Sequence, residues 1–596
     1  MSSHSEHTTT SDSAASSAVP VQGEVRTSVE ALKDRPRAQV LIIGGGINGV
    51  GTFRDLALQG IDVALVERGD YCQGASGASS HMIHGGIRYL ENGEFRLVKE
   101  SVEERNRLLK IAPHYVKPLK TTIPIFSTVS GVLSAPMRFL THKQGKPQER
   151  GALLIKLGLS LYDSFSRDGG TVPRHQFVGH KKALEELPRL RSDVKYAATY
   201  FDASVHNPER LTLDVLRDGV AAGTGEGADH TARPANYVAA TAFTDHGVEL
   251  TDQLSGETFT FDAEVVVNTS GAWVDLTNEA LGAPTSFMGG TKGSHIVLDS
   301  PELLAACAGR EIFFEHTDGR IVLIYPLADR VLVGTTDINA DPRVSPVCTE
   351  EEIEYFFELV NHVFPDVSLD REQIIYTFSG IRPLPKHDDT QPGFVSRDYR
   401  IEQAQHRQGE RDVPVLSLVG GKWTTFRALS EHLSNEVLAL LGASRTISTA
   451  ELAIGGGVGF PRTDAGVEEW ITAHQTSTVD AARAATLLTR YGTRADDVIA
   501  FLQTGPDAVL HSTHELSSRE LLYLAEQEQI GHLIDVFIRR TSLAFRGLVS
   551  RELLAETAEI LAEPLGWDAE RVRFELEHAQ NVLERDHLVQ VQNLIA

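Results

Sequence analysis

A short apolar run, Ala38-Gln39-Val40-Leu41-Ile42-Ile43, leads without interruption into Gly44-Gly45-Gly46-Ile47-Asn48-Gly49. That junction constrains the fold more than any other stretch of the chain. An apolar run of this length bounded by glycines reads as a buried parallel strand. The GxGxxG that follows reads as the turn into a helix, which continues through Leu58. A second strand, Val63-Ala64-Leu65-Val66, then ends on Glu67. Glycines let backbone N–H groups approach a pyrophosphate at the helix N-terminus, and an acid about 20 residues on accepts ribose hydroxyls. The glycine motif alone is a weak signal, because unrelated α/β turns are also rich in glycine. With strand, helix, second strand and acid in register, a dinucleotide site built on Gly44, Gly46, Asn48, Gly49 and Glu67 is expected.

Three later features favour a flavin dinucleotide over a nicotinamide one. The run Gly74-Ala75-Ser76-Gly77-Ala78-Ser79-Ser80 is small enough to pass close to a pyrophosphate or a flavin ring. Val265-Val266-Val267-Asn268-Thr269-Ser270-Gly271 is an apolar strand ending in small residues and glycine. Leu418-Val419-Gly420-Gly421-Lys422-Trp423-Thr424-Thr425 sets a glycine pair between a strand and a helix whose N-terminus favours negative charge. Each of the last two alone reads as an ordinary strand–turn–helix; their order is what points to FAD.

At 596 residues the chain exceeds one compact core, so two or three domains are expected. Its 81 acidic against 56 basic side chains give a net charge of −25, which argues against nucleic acid as a partner. The cysteines Cys72, Cys307 and Cys348 are far apart, which excludes a disulfide framework or a cysteine-rich metal site and fits a reducing cytoplasm. No metal site is read. No apolar run reaches the roughly 18 residues of a membrane span. Residues 1–36 read as a Ser/Thr-rich disordered tail. Residues 37–445 read as an α/β body in which a Rossmann-like FAD-binding domain (near 37–95, 205–290 and 375–445) is interleaved with a mixed-sheet substrate domain. A meander is expected over Ile312 to Asp337. Residues 447–596 carry helical periodicity and form an all-α C-terminal domain, with a capping box at Ser517 and Glu520 and a helix capped by Asp568.

Ser79-Ser80-His81-Met82-Ile83-His84-Gly85-Gly86-Ile87-Arg88-Tyr89-Leu90-Glu91 is similar to the SSK-L-IHGG-x-RYL segment of FAD-dependent, respiratory glycerol-3-phosphate dehydrogenases. Further resemblances follow in that family's order: Lys292-Gly293-Ser294-His295-Ile296-Val297, Gly334-Thr335-Thr336-Asp337, Ser379-Gly380-Ile381-Arg382-Pro383-Leu384, Ser396-Arg397-Asp398-Tyr399, Gly420-Gly421-Lys422 and Ile538-Arg539-Arg540-Thr541. They span nearly everything after the tail. His81 departs from the pattern, standing where many relatives have Lys. The resemblance implies oxidation of sn-glycerol 3-phosphate to dihydroxyacetone phosphate, with electrons passing from reduced flavin to a membrane quinone.

That reaction needs a base, a hydride acceptor and a cationic grip on phosphate. Arg88, Arg382 and Arg397 are the candidates for the grip, since a planar guanidinium matches phosphate bidentately; for any one of them taken alone, a structural ion pair is the favoured reading. Arg382 is the strongest of the three because its loop is otherwise apolar. His295 is the candidate base, with a core histidine as the competing reading. Lys422 is expected to stabilise substrate alkoxide or anionic flavin, and Tyr89 to hydrogen-bond substrate. Ser79, Ser80, His84, Gly85, Gly86, Gly271, Gly421, Lys422 and Thr424 are expected against the cofactor. Met137 to Arg167 alternates basic residues with leucines, as a peripheral contact on the inner face of the plasma membrane would, or as any helix with one solvated face would. A homodimer is left open. Rival readings are an oxidase that uses oxygen, an amine oxidase on the same fold, and a flavin-binding sensor without turnover.

Overall fold

The computed structural model describes residues 26–86, 95–126, 152–165, 172–224, 231–315, 321–386 and 398–589. The architecture is α/β: two large sheets share the body, and a layer of helices covers one of them. The first sheet has the strand Arg37–Ile43 at its centre, parallel to Val63–Val66 on one side and to Thr258–Asn268 on the other. Ala232–Ala235 extends it beyond Val63–Val66, and Arg411–Val419 with Arg400–Gln408 extends it beyond Thr258–Asn268. Its apolar runs are continuous because both faces are covered. Val40, Ile42, Val63, Leu65, Val265 and Val267 face the helices Ile47–Leu58, Pro208–Ala222 and Phe426–Leu440. Leu41, Ile43, Ala64, Val66 and Val266 face the opposite layer.

That opposite layer includes the helix Thr27–Asp34, whose Val29 and Leu32 are buried beneath the sheet. Thr27–Asp34, within the stretch 1–36 expected to be a disordered tail, is therefore a docked helix. Two apolar side chains three residues apart on one face, with Arg26 bonded to Asp252 and Asn236, are enough to dock this short helix.

The second sheet runs Ile338–Asn339, Met288–Leu298, Arg330–Gly334, Ile321–Leu327, Glu311–Glu315, Val116–Ile125, Tyr196–Val205, Met82–Ile83, with Ile374–Pro385 also paired to Met288–Leu298. The three strands between Glu311 and Gly334 form the antiparallel meander read from sequence. Ile374–Pro385 pairs with Met288–Leu298 in this sheet, and Arg400–Gln408 pairs with Arg411–Val419 in the first. Side chains alternate faces along each strand. Leu323, Tyr325 and Leu332 pack under the C-terminal helices, whereas Val322, Ile324, Val331 and Val333 pack against the helices Pro301–Cys307 and Glu350–Val363.

From Asp464 to His587 the described chain is helical. Asp568 caps Ala569–His587 by accepting from the Arg571 N–H at 2.8 Å. The capping box expected at Ser517 and Glu520 does not form. Glu520 is buried and bound by Arg483 and by Arg490 at 2.7 Å, and Ser517 accepts from Arg483. A buried carboxylate satisfied by two guanidiniums outcompetes one backbone N–H. Among the described residues no helix is long and apolar enough to cross a membrane.

Candidate active site and cofactor cradle

The glycines of Gly44–Gly49 have separate tasks. Gly44 has φ +114°, and a Cβ there would lie 2.7 Å from the Thr269 carbonyl oxygen. A Cβ on Gly49 would lie 2.0 Å from the Gly44 oxygen. Both are required by the turn itself. A Cβ on Gly46 would meet only Ser76 Oγ, at 3.1 Å, so this position faces room rather than protein. Gly46 is also the N-cap of Ile47–Leu58, and with no side chain of its own there, Ser76 Oγ accepts from the Ile47 N–H at 3.0 Å. Glu67 accepts from the Gly45 N–H at 2.6 Å and the Gly69 N–H at 2.9 Å, and burial pushes its carboxyl pKa up. It shapes the turn as well as being available to ribose, because each oxygen has a second lone pair.

The Gly420–Gly421 turn comes alongside. A Cβ on Gly421 would lie 2.9 Å from Asn48 Nδ2, and Asn48 Oδ1 is buried without a hydrogen-bond partner. Gly271, at φ +62°, opens the turn after Thr258–Asn268 with nothing near its missing Cβ. Trp423 Nε1 donates to the Ser76 carbonyl at 3.0 Å, fastening the small-residue run between the two glycine turns. The glycine-lined room at the helix N-terminus and the unsatisfied Asn48 oxygen fit a cofactor with a pyrophosphate and a hydroxyl-bearing chain, as FAD has.

The His84–Gly86 turn is held from three sides. Thr424 Oγ1 accepts from the His84 N–H and contacts its carbonyl, each at 3.2 Å. Lys422 Nζ donates to the His84 carbonyl and to Ser101 Oγ, each at 3.0 Å. The Gly85 N–H donates to Tyr162 OH at 3.0 Å and Asp202 Oδ1 at 3.1 Å, and Arg105 binds the same carboxylate at 3.0 Å. Lys422 thus fastens this turn. Tyr162, Asp202 and Arg105 were not read from sequence, since they are far from the motif and carry no local signal.

His295 lies on Met288–Leu298, where its ring edge crosses Gly334 and stacks on Phe378 at 4.7 Å. Its Nε2 shares a 2.8 Å hydrogen bond with Ser80 Oγ, and Nδ1 is buried without a partner. Burial, then the nearby Arg382 and His81, hold its pKa well below the usual histidine value, so the imidazole is neutral. In the tautomer protonated at Nδ1, Nε2 accepts from the Ser80 hydroxyl and its lone pair can receive a proton. Arg382 sits across the strand pair from Thr291. Its guanidinium is bound by Asp337 at 2.8 Å and by Thr335 Oγ1 and the Thr336 carbonyl at 2.9 Å each. Arg382 thus forms the ion pair that was one of its two readings, near enough to His295 to bear on its protonation. Lys292 is structural, paired to Glu352 at 2.8 Å. His81 is buried, donates from Nδ1 to the Val205 carbonyl at 3.1 Å, and has its pKa pushed down by burial to about 4. It cannot replace a lysine cation. Arg88, Tyr89 and Arg397 lie outside the described residues.

Residues 39–409 match the family described as FAD dependent oxidoreductase, and residues 447–572 match the C-terminal domain of alpha-glycerophosphate oxidase. A Synechocystis sp. protein named glycerol-3-phosphate dehydrogenase is 32% identical, covering 92% of this chain and 96% of its own. The chain belongs to the FAD-dependent glycerol-3-phosphate dehydrogenase and oxidase family. FAD is the cofactor of this family's cradle, and Gly44–Gly49, Glu67, Asn48 and Gly421 are the residues that fit it here. Other family members differ in the substrate they are named for: a Brucella abortus protein, 32% identical over 84% of this chain and 93% of its own, is named D-erythritol 1-phosphate dehydrogenase. The fold is also that of a glycerol-3-phosphate dehydrogenase from Bacillus halodurans complexed with FAD, at 23% identity and TM-score 0.72 over 96% of this chain and 100% of that one.

Proposed function

We propose that the chain oxidises sn-glycerol 3-phosphate to dihydroxyacetone phosphate in glycerol catabolism and passes the electrons to a membrane quinone. The observation that carries this reading is the neutral His295, bonded to Ser80 and set close to a fixed Arg382, on a chain whose relatives are named for phosphorylated polyols. FAD held by Gly44–Gly49, Asn48, Glu67 and Gly421 would supply the two-electron hydride acceptor and the link to a quinone. The substrate hydroxyl gives its proton to His295 Nε2 as the carbon-bound hydrogen leaves with its electron pair. Arg382 offsets negative charge on the alkoxide or the phosphate. Lys422, Thr424, Tyr162 and Asp202 hold the His84–Gly86 turn so that these groups keep their spacing.

Anaerobic addition of glycerol 3-phosphate to the yellow holoenzyme tests the reading, with loss of oxidised-flavin absorbance expected. Bleaching by D-erythritol 1-phosphate but not glycerol 3-phosphate would reassign the substrate; bleaching by neither would overturn the reaction. Peroxide release in air matching turnover would replace quinone by oxygen.

Peripheral contact with the inner face of the plasma membrane is part of the proposal. On the helix Ala152–Phe165, Leu153 and Leu157 are 61% and 68% exposed, while Leu159 and Tyr162 on the other face are buried. Exposed leucines one turn apart beside Lys156 suit an anionic lipid surface. Cosedimentation with anionic vesicles should weaken in Leu153→Ser/Leu157→Ser, and unchanged binding would remove this helix from the contact.

A further inference from the structure

Immediately after Glu67 the chain makes a loop, Arg68 to Gln73, that touches the phosphate turn at both ends. Glu67 binds the Gly45 N–H at 2.6 Å, and the Cys72 N–H donates to the Gly45 carbonyl at 3.1 Å. Tyr71 lies against Gly45, where a Cβ would come within 2.8 Å of its ring. The geometry of this loop therefore sets the geometry of Gly45. At the loop's midpoint Asp70 is fully buried, and all its donors come from distant segments. Arg539 Nε reaches it at 2.5 Å, Arg540 Nη1 at 2.6 Å, Arg540 Nη2 at 2.9 Å and Asn236 Nδ2 at 2.8 Å. Four donors fill the four lone-pair sites of one carboxylate.

The neighbouring residue is gripped too, since Tyr71 OH donates to Gln529 Oε1 at 2.9 Å. Arg540 itself is locked by the Glu528 carbonyl, at 3.0 Å from Nε and 2.8 Å from Nη2. Arg539 is held by Asp535, which also accepts from Tyr237 OH at 2.8 Å. Both arginines end a π-turn, Val536–Arg540, a form that recurs at functional sites. Burial pushes the Asp70 carboxyl up, and Arg540 and Arg539 more than reverse this, so it stays ionised.

We propose that Arg539 and Arg540 of the C-terminal helical region are positioning residues for FAD: through Asp70 they fix the Glu67–Gln73 loop against Gly45, and so govern how tightly the cofactor is retained. Neither arginine is among the residues of the cradle. The proposal rests on FAD as cofactor and not on the reaction or the acceptor.

The test reads flavin release from purified holoenzyme after dilution, followed as the rise in free-flavin fluorescence without substrate. Arg540→Met keeps the side-chain bulk and removes the fork. Loss of an outer partner that orients a metal ligand costs about 10–100-fold in affinity, and a rise of about tenfold or more in FAD release is expected by the same logic. Arg483→Met is the comparator. It breaks a buried pair with Glu520 in the same helical region, away from the Asp70 loop, and should release flavin at the wild-type rate. Arg540→Lys, which retains charge without the fork, should fall between wild type and Met, and it carries the test if the Met variant gives no soluble holoenzyme. Wild-type release from the Arg540 variants would overturn the proposal. Equal acceleration in Arg483→Met would also overturn it, because general loosening of the helical region would then account for the loss.

Discussion

The guanidinium of Arg382 lies directly over a residue with no side chain, and this gives a way to move the cation without altering it. A Cβ on Gly293 would fall 2.1 Å from Arg382 Nη2 and 2.5 Å from its Cζ. Real Cβ contacts are not this short, so in Gly293→Ala the guanidinium must leave Asp337, Thr335 and the Thr336 carbonyl. Gly293 is on an extended strand outside the left-handed region, so alanine adds no backbone strain. The displaced group is the far end of a flexible side chain, and the ion pair it loses is partly exposed, at 19% on each partner. Stability should therefore fall by no more than about 1–2 kcal/mol. Catalysis should suffer more. Withdrawing a charge-assisted partner from a desolvated anion costs about 2–5 kcal/mol, which is roughly 30- to 5,000-fold in kcat/KM. The assay is steady-state oxidation of glycerol 3-phosphate with an artificial acceptor, with flavin content and thermal midpoint as controls. Arg382→Ala should lose a similar factor, and Gly293→Ala/Arg382→Ala should lose no more than Arg382→Ala alone, since both act on one cation. A fall in kcat would assign Arg382 to the reacting centre, and a rise in KM alone would assign it to the phosphate. Wild-type kinetics in Gly293→Ala with normal flavin would show that the position of Arg382 is irrelevant to the reaction.

Gly46→Val should yield folded protein without flavin, whereas Gly49→Ala should fail to fold stably, because only the latter collides with the turn itself; flavin retained in Gly46→Val would mean the cofactor does not use that room. Leu32→Ala should cost about 2–5 kcal/mol in a denaturant titration, and no change would mean the helix Thr27–Asp34 does not dock. Stability should fall as pH drops from about 6.5 to about 4, because burial holds His81 at about 4 while the unfolded chain takes up its proton near 6.5. The contribution is thus present above pH 6.5 and lost through that window, amounting to about 3 kcal/mol at most, and His81→Asn, which also tolerates φ +55°, should flatten the slope.

The cofactor half of the molecule was legible because its signals are local. Strand, glycine turn, helix and Glu67 follow within about thirty residues, and each residue type is demanded by its own backbone position. The meander between Glu311 and Gly334 was legible for the same reason. What failed were judgements that depended on a distant competitor. Ser517 and Glu520 have the spacing of a capping box, but Arg483 and Arg490 claim the glutamate. Nor does the glycine pair before Lys422 show that its ammonium also reaches a carbonyl 338 residues away in sequence. The helix Thr27–Asp34 was missed because only two of its residues are buried, too few for a periodic pattern. Arg382 shows the limit of choosing between alternatives from sequence, since its ion pair with Asp337 and its place beside His295 coexist.

The central position of Arg37–Ile43 in the first sheet has a bearing on how the chain is made. One of its two neighbours, Val63–Val66, follows at once, but the other is Thr258–Asn268, and that strand in turn waits for Arg411–Val419. At a synthesis rate of about 5–20 residues per second, the apolar stretch Val40–Ile43 leaves the ribosome roughly 10–45 s before its second partner exists. During that interval one edge of the strand offers unpaired backbone groups and β-branched side chains, the combination that recruits other nascent chains. Yield in cells should accordingly depend on holding chaperones and on the pace of translation up to residue 268, and flavin supplied early in elongation finds no sheet to bind.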